Sequence, residues 1–276
     1  MKLVDLHIHT TFSDGVFTPE EIVQQVLAVP LVAFAVTDHD NVDGYKATAA
    51  YLATQNSKVK LVPGVEIDTF YGEKDVHVLG YYYNSENKPL LEGLQWTREG
   101  RVQRIKKIVQ KINQLGYPLT MGEVLSEAKN SKSYGRPHIA RVMVKKGYFS
   151  QVQDVFNALI AKGKPAYCDQ EKLTPEQAVD LIKGAGGVAV LAHPSEIENH
   201  KIAQEVLLSC RFAGLEVWHP SALAAKETSH WLDLAKQYNL LTTGGSDYHG
   251  KEGRFPNTLG LFKVNYEDVE KIVEYK

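Results

Sequence analysis

Sulfur is scarce in this chain. Its 276 residues include two cysteines, Cys168 and Cys210, and three methionines. Two cysteines cannot build a disulfide framework or a thiolate zinc cluster. An excess of either charge is missing too: 31 basic residues face 33 acidic ones, for a formal charge of -2. That excludes a chain held to nucleic acid by bulk charge and leaves room only for a local basic patch. Long apolar runs are also absent, and the opening stretch is broken by Asp5, His7 and His9. Nothing matches the apolar run of about 7–15 residues of a signal peptide or the roughly 20 of a membrane span. The expectation is a soluble, cytoplasmic protein with no membrane association. Against these absences stand 43% apolar residues, enough for a sizeable core, and ten histidines.

The length fits one to two domains, or one large α/β domain with an insertion. Short apolar runs alternate with helical patterns at both ends. Leu3 to Ile8, Leu31 to Thr37, Val59 to Phe70 and Val76 to Tyr83 read as strands, as do Gly187 to Ala192, Gly214 to Trp218 and Leu240 to Thr243. Thr18-Pro19-Glu20-Glu21 and Thr174-Pro175-Glu176-Gln177 carry the same helix-start chemistry, a threonine cap, a proline in the first turn and a capping-box acid or amide. Strands alternating with helices imply a parallel sheet or a βα barrel.

The middle differs. Residues 94–162 show helices and no strand. Val102, Ile105, Ile108, Val109, Ile112 and Leu115 make an apolar stripe from Leu94 to Leu115, and Arg98, Arg101, Arg104, Lys106, Lys107 and Lys111 lie off it. Such a basic run is most simply the solvated side of an amphipathic helix; the alternative is a guide for a nucleotide or an RNA 5′ end. Further helices are expected around Gly122 to Ala128, after Gly135-Arg136-Pro137-His138, and from Val152 to Ile160. The chain therefore divides into 1–100 and 166–276, two parts of a barrel, with 101–165 as an all-helical insertion over one end.

His7 and His9 lie two apart on the first strand, so both point to one side and can share a metal. With ten histidines present, one such pair arises readily by chance and carries little alone. Its context carries more. Asp14 follows the strand, and His39 follows the second strand in Thr37-Asp38-His39-Asp40. Glu66 and His77 each sit inside an apolar strand. His193 ends a strand before Pro194, and Asp247 and His249 follow the last apolar run in Gly245-Ser246-Asp247-Tyr248-His249. A buried carboxylate such as Glu66 calls for a compensating cation. In a βα barrel the C-terminal ends of the strands converge on one face. Nine imidazole and carboxylate side chains meeting there exceed the four ligands of a single structural zinc, which implies more than one metal. His200 and His230, on helical segments, have no such context.

These motifs resemble the PHP family, named for polymerase and histidinol phosphatase. The resemblance rests on Asp5-Leu6-His7-Ile8-His9-Thr10-Thr11, Thr37-Asp38-His39-Asp40, Val190-Leu191-Ala192-His193-Pro194 and Gly245-Ser246-Asp247-Tyr248-His249, with Glu66 and His77 spaced to match. It implies a distorted (β/α)7 barrel. The helical middle, with Gly135-Arg136-Pro137-His138, is further similar to the TrpH-like branch. Members of that branch remove the 3′-phosphate from nucleoside 3′,5′-bisphosphates, and some degrade short RNA from the 5′ end (RNase AM). The implied site is trinuclear. His7, His9, Glu66 and Asp247 hold one metal, Glu66, His77 and His193 a second, and Asp14, His39 and His249 a third.

Three carboxylates and three divalent cations leave such a site near a charge of roughly +3, which favours an anionic phosphate. Metal-bound hydroxide would attack phosphorus in line, with no protein nucleophile needed. Arg136 offers a planar fork for phosphate, His138 is a plausible partner, and His219, ending Gly214-Leu215-Glu216-Val217-Trp218-His219, is a candidate acid for the leaving oxygen. The ligands suit manganese, iron or zinc, with manganese preferred. The expected partner is a small nucleotide or short RNA, and no obligate protein partner is evident. Competing readings are a histidinol-phosphate phosphatase, an amidohydrolase, and a non-catalytic metal-dependent nucleotide-binding protein.

Overall fold

The computed structural model describes residues 2–276 except 73, 129, 130, 132, 198 and 251–253. Strand β1 (Leu3–Ile8) leads to helix α1 (Pro19–Leu27). Thr18 Oγ1 accepts from the Glu21 amide and the Glu21 carboxylate accepts from the Thr18 amide at 2.8 Å, so the expected capping box forms. Next come β2 (Leu31–Val36), α2 (Asp43–Leu52), β3 (Lys60–Tyr71) and β4 (Lys74–Tyr81). The helical middle follows as α3 (Lys88–Gln114), α4 (Met121–Glu127), α5 (Arg136–Lys145) and α6 (Val152–Val155), the last running into a π-helical turn over Phe156–Ile160. The alternation then resumes with α7 (Pro175–Gly184), capped by Thr174 and Gln177, and β5 (Val188–Leu191). The chain continues through α8 (His200–Ser209), β6 (Gly214–Trp218), α9 (Pro220–Ala225), α10 (Thr228–Gln237) and β7 (Leu241–Gly244). It ends with β8 (Val264–Asn265) and α11 (Tyr266–Val273). None of the described helices is long and apolar enough to cross a membrane.

The strands form one sheet in the order β7-β6-β5-β4-β3-β2-β1-β8. The segment after β7 returns to β1: Ile8 bridges Tyr248, and the His9 amide donates to the Tyr248 carbonyl at 2.9 Å. The sheet thus curls into a nearly closed barrel, as the distorted seven-stranded expectation requires, with β8 a short antiparallel addition to β1. One departure matters. β4 runs antiparallel to both β3 and β5, because no crossover helix separates it from β3. His77 therefore reaches the site from the middle of a strand that runs opposite to its neighbours.

Side chains from β1 to β5, among them Leu6, Ala33, Val62, Leu79, Tyr81 and Val190, pack with Ile272 and Val273 of α11 in one cluster. A second cluster seats Val65, Ile67, Val78, Leu191, Leu215 and Val217 against α3, α7, α8 and α10. The helical middle has its own apolar cluster, from Ile105 on α3 to Cys168. α3 spans both: Leu90 and Leu94 belong to the barrel-side cluster, and Ile105, Ile108, Val109 and Ile112 to the helical one. One long helix thus links the barrel-side and helical clusters.

Candidate metal centre

Strand alternation aims Glu66 and Asp68 of β3 to one face, while Val65 and Ile67 enter the helix-facing cluster. Glu66 is the hub. Its Oε2 lies 3.3 Å from His7 Nε2, 3.2 Å from His9 Nε2 and 3.2 Å from His39 Nδ1. Its Oε1 lies 2.8 Å from His77 Nδ1 and 3.0 Å from His193 Nε2. Asp247 Oδ1 sits 3.1 Å from His9 Nε2, and Asp14 Oδ1 sits 3.0 Å from His249 Nε2. All nine candidate metal ligands are thus brought together.

Several of these atoms lack ordinary partners. Among the described residues, buried His7 Nε2, His9 Nε2 and Glu66 Oε2 have no hydrogen-bond partner. Buried polar atoms left unsatisfied are rare and costly. Orphaned imidazole nitrogens converging on a carboxylate oxygen fit divalent cations, which would satisfy all of them at once. Groups close enough to hold a metal include His9, Asp14, His39 and His249; His7, His9 and Glu66; and Glu66, His77 and His193. Burial opposes the Glu66 charge, but the imidazoles of His39, His7 and His77 hold its carboxyl well below the usual range. Burial likewise opposes a charged His193, yet Glu196 and Glu66 raise it to about 10.

A surrounding layer fixes the rings. Glu216, fully buried on β6, accepts from His7 Nδ1 at 3.0 Å and from the His193 amide at 2.7 Å. With its proton on Nδ1, His7 turns the lone pair of Nε2 toward Glu66. His249 bonds through Nδ1 to the Asp247 carbonyl at 2.8 Å, which turns its Nε2 toward Asp14. Asp5 accepts from the Ser246 amide and hydroxyl at 2.9 and 2.6 Å, tying β1 to the Asp247 segment. Burial pushes the Asp5 carboxyl up to about 6. Gly245 lets that segment approach: a Cβ there would lie 2.4 Å from His7 Cβ. His193 (φ 23°) and Asp247 (φ 49°) hold left-handed backbone that non-glycine residues rarely adopt, a cost of about 1–3 kcal/mol each that the surrounding bonds offset.

A cavity of about 300 Å³ opens over this cluster. Asp14, His39, Asp68, His77 and His193 line one side, and Arg101, Arg104, Arg136 and Lys172 line another. Two of those cations are neutralised. Arg101 Nη2 lies 2.5 Å from Asp68 and its Nε 2.6 Å from Asp40, so its charge is held firmly despite burial. Lys172 Nζ lies 2.5 Å from Asp75. Arg104 and Arg136 are different. Arg104 is buried and spends its Nε on the Cys168 carbonyl at 2.7 Å, and Arg136 reaches the Ile160 carbonyl at 3.3 Å. Among the described residues no carboxylate pairs with either. Burial, and after it the neighbouring Arg136 charge, lowers Arg104 to about 10. Two adjacent guanidiniums with no carboxylate partner among the described residues are suited to an anion.

The basic run on α3 therefore splits. Lys106 and Lys107 are exposed as a solvated face would be, whereas Arg101 and Arg104 face inward and Arg98 donates to the Asp40 carbonyl at 2.6 Å. Their spacing of three, in step with the helix turn, was the available signal. Arg136 lines the main cavity, but His138 does not. His138 is buried and its Nδ1 accepts the Gly135 amide at 3.0 Å, closing the start of α5. His219 is buried at the start of α9. Its Nδ1 accepts the Ser221 amide at 3.1 Å, which leaves Nε2 as the ring's donor, 3.7 Å from Asp247 Oδ2. Asp68 and Glu216 were not singled out from the sequence, although each sits two residues from another inward-facing position. His200 and His230 stack on each other at 5.0 Å on α8 and α10, away from the cluster.

Comparison with known proteins agrees with this geometry. The profile of the PHP domain matches residues 5–186. A 3′,5′-nucleoside bisphosphate phosphatase from Chromobacterium violaceum is 30% identical over 92% of this chain and 90% of its own length. The 5′-3′ exoribonuclease Rnm of Escherichia coli is 30% identical over 90% of this chain and 85% of its own. A phosphoribosyl 1,2-cyclic phosphate 1,2-diphosphodiesterase from Eggerthella lenta is 30% identical over 92% and 96%. A structure from Bifidobacterium adolescentis, assigned as a metal-dependent phosphoesterase, superposes with a TM-score of 0.86 at 30% identity, covering 98% of this chain and 95% of that one.

Proposed function

The chain belongs to the PHP family and is a metal-dependent phosphoesterase, and on that premise we propose that it removes the 3′-phosphate of nucleoside 3′,5′-bisphosphates, with short 5′-phosphorylated RNA as the extended substrate. The observation that supports this substrate is the pair Arg104 and Arg136. They supply a second anion site in the same cavity as the imidazole and carboxylate cluster, so the preferred ligand carries two phosphates. His7, His9, Glu66 and Asp247 would hold one divalent cation, Glu66, His77 and His193 a second, and Asp14, His39 and His249 a third. Manganese is the preferred ion, and iron or zinc suits the same nitrogen and oxygen donors. Bound there, such cations stabilise charge on the phosphoryl oxygens and bring the pKa of water toward about 7.

The protein's own groups do the rest. Arg104 and Arg136 anchor the 5′-phosphate, with Phe156 and Tyr134 on the cavity wall beside them. Arg101 braces Asp68 and Asp40 and so keeps the β3 carboxylates in place. His219 carries a proton on Nε2 and is the donor for the departing 3′-oxygen. His138 supports Arg136 indirectly, by fixing the first turn of the helix that bears it. Reduced, unpaired Cys168 and Cys210 accord with a cytoplasmic setting for the same reading.

Protein loaded with Mn²⁺ should release phosphate from adenosine 3′,5′-bisphosphate far faster than from histidinol phosphate or 5-phosphoribosyl 1,2-cyclic phosphate. Preference for the cyclic ester would transfer the assignment to the diphosphodiesterase activity of the Eggerthella relative. Preference for histidinol phosphate would remove the need for a second anion site. An amidohydrolase is disfavoured because Glu66, and not a lysine, is the residue on which the clustered imidazoles converge and which would bridge two cations.

A further inference from the structure

The cluster opens on a second front. A separate recess of about 290 Å³ is lined by Glu196, His219, Pro220, Ser221, Ala224, Ser246, Asp247, Arg254 and Phe255. It shares Glu196 with the main cavity and meets the cluster at Asp247, whereas the main cavity meets it at Asp14, His39, His77 and His193. His219 lines this recess with its Nε2 3.7 Å from Asp247 Oδ2, where the recess and the cluster meet.

The two spaces differ in charge. Arg104 and Arg136, which no carboxylate pairs with among the described residues, line the main cavity. Among the described residues that line the recess, Arg254 is the one cation, and it is paired with Asp247. Beside it Phe255 is 56% exposed, an aromatic ring presented to solvent at the recess wall. Pro220 and Ala224 supply a small apolar surface, and Ser221 and Ser246 supply polar groups. This combination suits a sugar and a base with at most one phosphodiester charge, and its volume is near the small end of ligand pockets, about 300–1,000 Å³. A terminal phosphate dianion would find little there.

We propose that this recess binds the nucleotide on the 3′ side of the scissile phosphate, with its base stacked on Phe255. The inference rests on the phosphoesterase reading above. The 5′-terminal nucleotide then occupies the main cavity, its phosphodiester lies over the cluster, and the downstream nucleotide lies in the recess. In each turnover the oxygen of water joins phosphorus and the P–O3′ bond breaks. The 3′-oxygen takes a proton, and the phosphate departs on the 5′-oxygen of the downstream nucleotide. The same P–O3′ bond breaks in a 3′,5′-bisphosphate, where inorganic phosphate departs and the recess has no base to hold.

The test compares a 5′-phosphorylated dinucleotide with the matching nucleoside 3′,5′-bisphosphate in wild type, Phe255→Ala and Phe255→Trp. Aromatic stacking of this kind makes the ratio of kcat/KM for dinucleotide over bisphosphate fall roughly 5- to 100-fold in Phe255→Ala, with recovery in Phe255→Trp. A dinucleotide with 2-aminopurine as the downstream base gives a reading independent of turnover: its fluorescence should change on binding to wild type and not to Phe255→Ala. An equal loss on both substrates, or an unaltered ratio, overturns the proposal. So does a wild-type enzyme that cleaves the bisphosphate but not the dinucleotide. If wild type cleaves neither, the substrate reading of the preceding section fails, and this inference with it.

Discussion

Glu216 accepts hydrogen bonds from His7 Nδ1 at 3.0 Å and from the His193 amide at 2.7 Å. One buried carboxylate so orients a ring from β1 and the backbone of another candidate ligand after β5. Replacing it with glutamine keeps the volume but weakens the acceptor and puts an amide donor within reach of the His193 N–H. Metal affinity of Glu216→Gln should fall about 10–100-fold, the usual effect of losing such an outer partner. Titration calorimetry of Mn²⁺ into chelator-treated protein checks this. Unchanged affinity would reduce Glu216 to a packing residue.

Arg104 and Arg136 are predicted to read the 5′-phosphate. Hydrogen bonds to charged groups are worth about 1.5–3 kcal/mol, so Arg104→Ala and Arg136→Ala should each raise KM for a nucleoside 3′,5′-bisphosphate roughly 10- to 100-fold. For a nucleoside 3′-phosphate, which lacks the second anion, KM should be high in wild type and change little further. A parallel loss on both substrates would mean that the arginines act on the scissile phosphate or on the fold.

Much of this site can be read without coordinates. The nine clustered candidate ligands each stand next to strand ends or inside apolar strands, where a polar side chain has few bland explanations. Asp68 was legible in principle, being two residues beyond Glu66 on the same strand face. Arg101 and Arg104 were harder. A run of basic residues on a long helix reads as solvated because periodicity reports which residues leave the apolar stripe, not which surface faces another part of the chain. The reversed direction of β4 was equally hidden, since an apolar run has no polarity. His138 is the converse case: its Gly-Arg-Pro-His setting suggests a phosphate contact, while its Nδ1 is engaged in the first turn of α5.

His219 should act on the leaving group. His219→Asn retains an acceptor for the Ser221 amide and so preserves the start of α9, while removing the acidic proton. Its kcat on the bisphosphate should drop about 10²- to 10⁴-fold. Hydrolysis of p-nitrophenyl phosphate, whose leaving oxygen needs no proton, should suffer much less. Equal losses on the two would refute the acid role.

Chelation should reverse the pH preference of stability. In chelated protein, Glu66 has its pKa held below the ordinary 4.5, so its contribution is present above 4.5 and disappears as pH falls. His7, His39, His77 and His193 are raised above 6.5, the last to about 10. Their contribution is complete below 6.5 and is lost as pH climbs toward 10. The melting temperature should therefore peak between about 4.5 and 6.5. Metal needs unprotonated imidazole, so loading with Mn²⁺ should move the maximum above 6.5 and raise Tm there. Melting curves across pH, with chelator and with Mn²⁺, decide the matter; a chelated protein most stable at pH 8 would contradict it.

The antiparallel pairing of β3 with β4 sets Asp68 opposite His77 and Glu66 opposite Leu79. Three of the site's polar groups thus belong to one hairpin of neighbouring sequence. Strand side chains alternate with a period of two, so sliding β4 by one residue would carry His77 to the helix-packed face and bring Val76 or Val78 into the site. The chemistry at the barrel mouth is in this sense a readout of strand alignment, and a fault in the hairpin would silence the enzyme while leaving most of the chain able to fold.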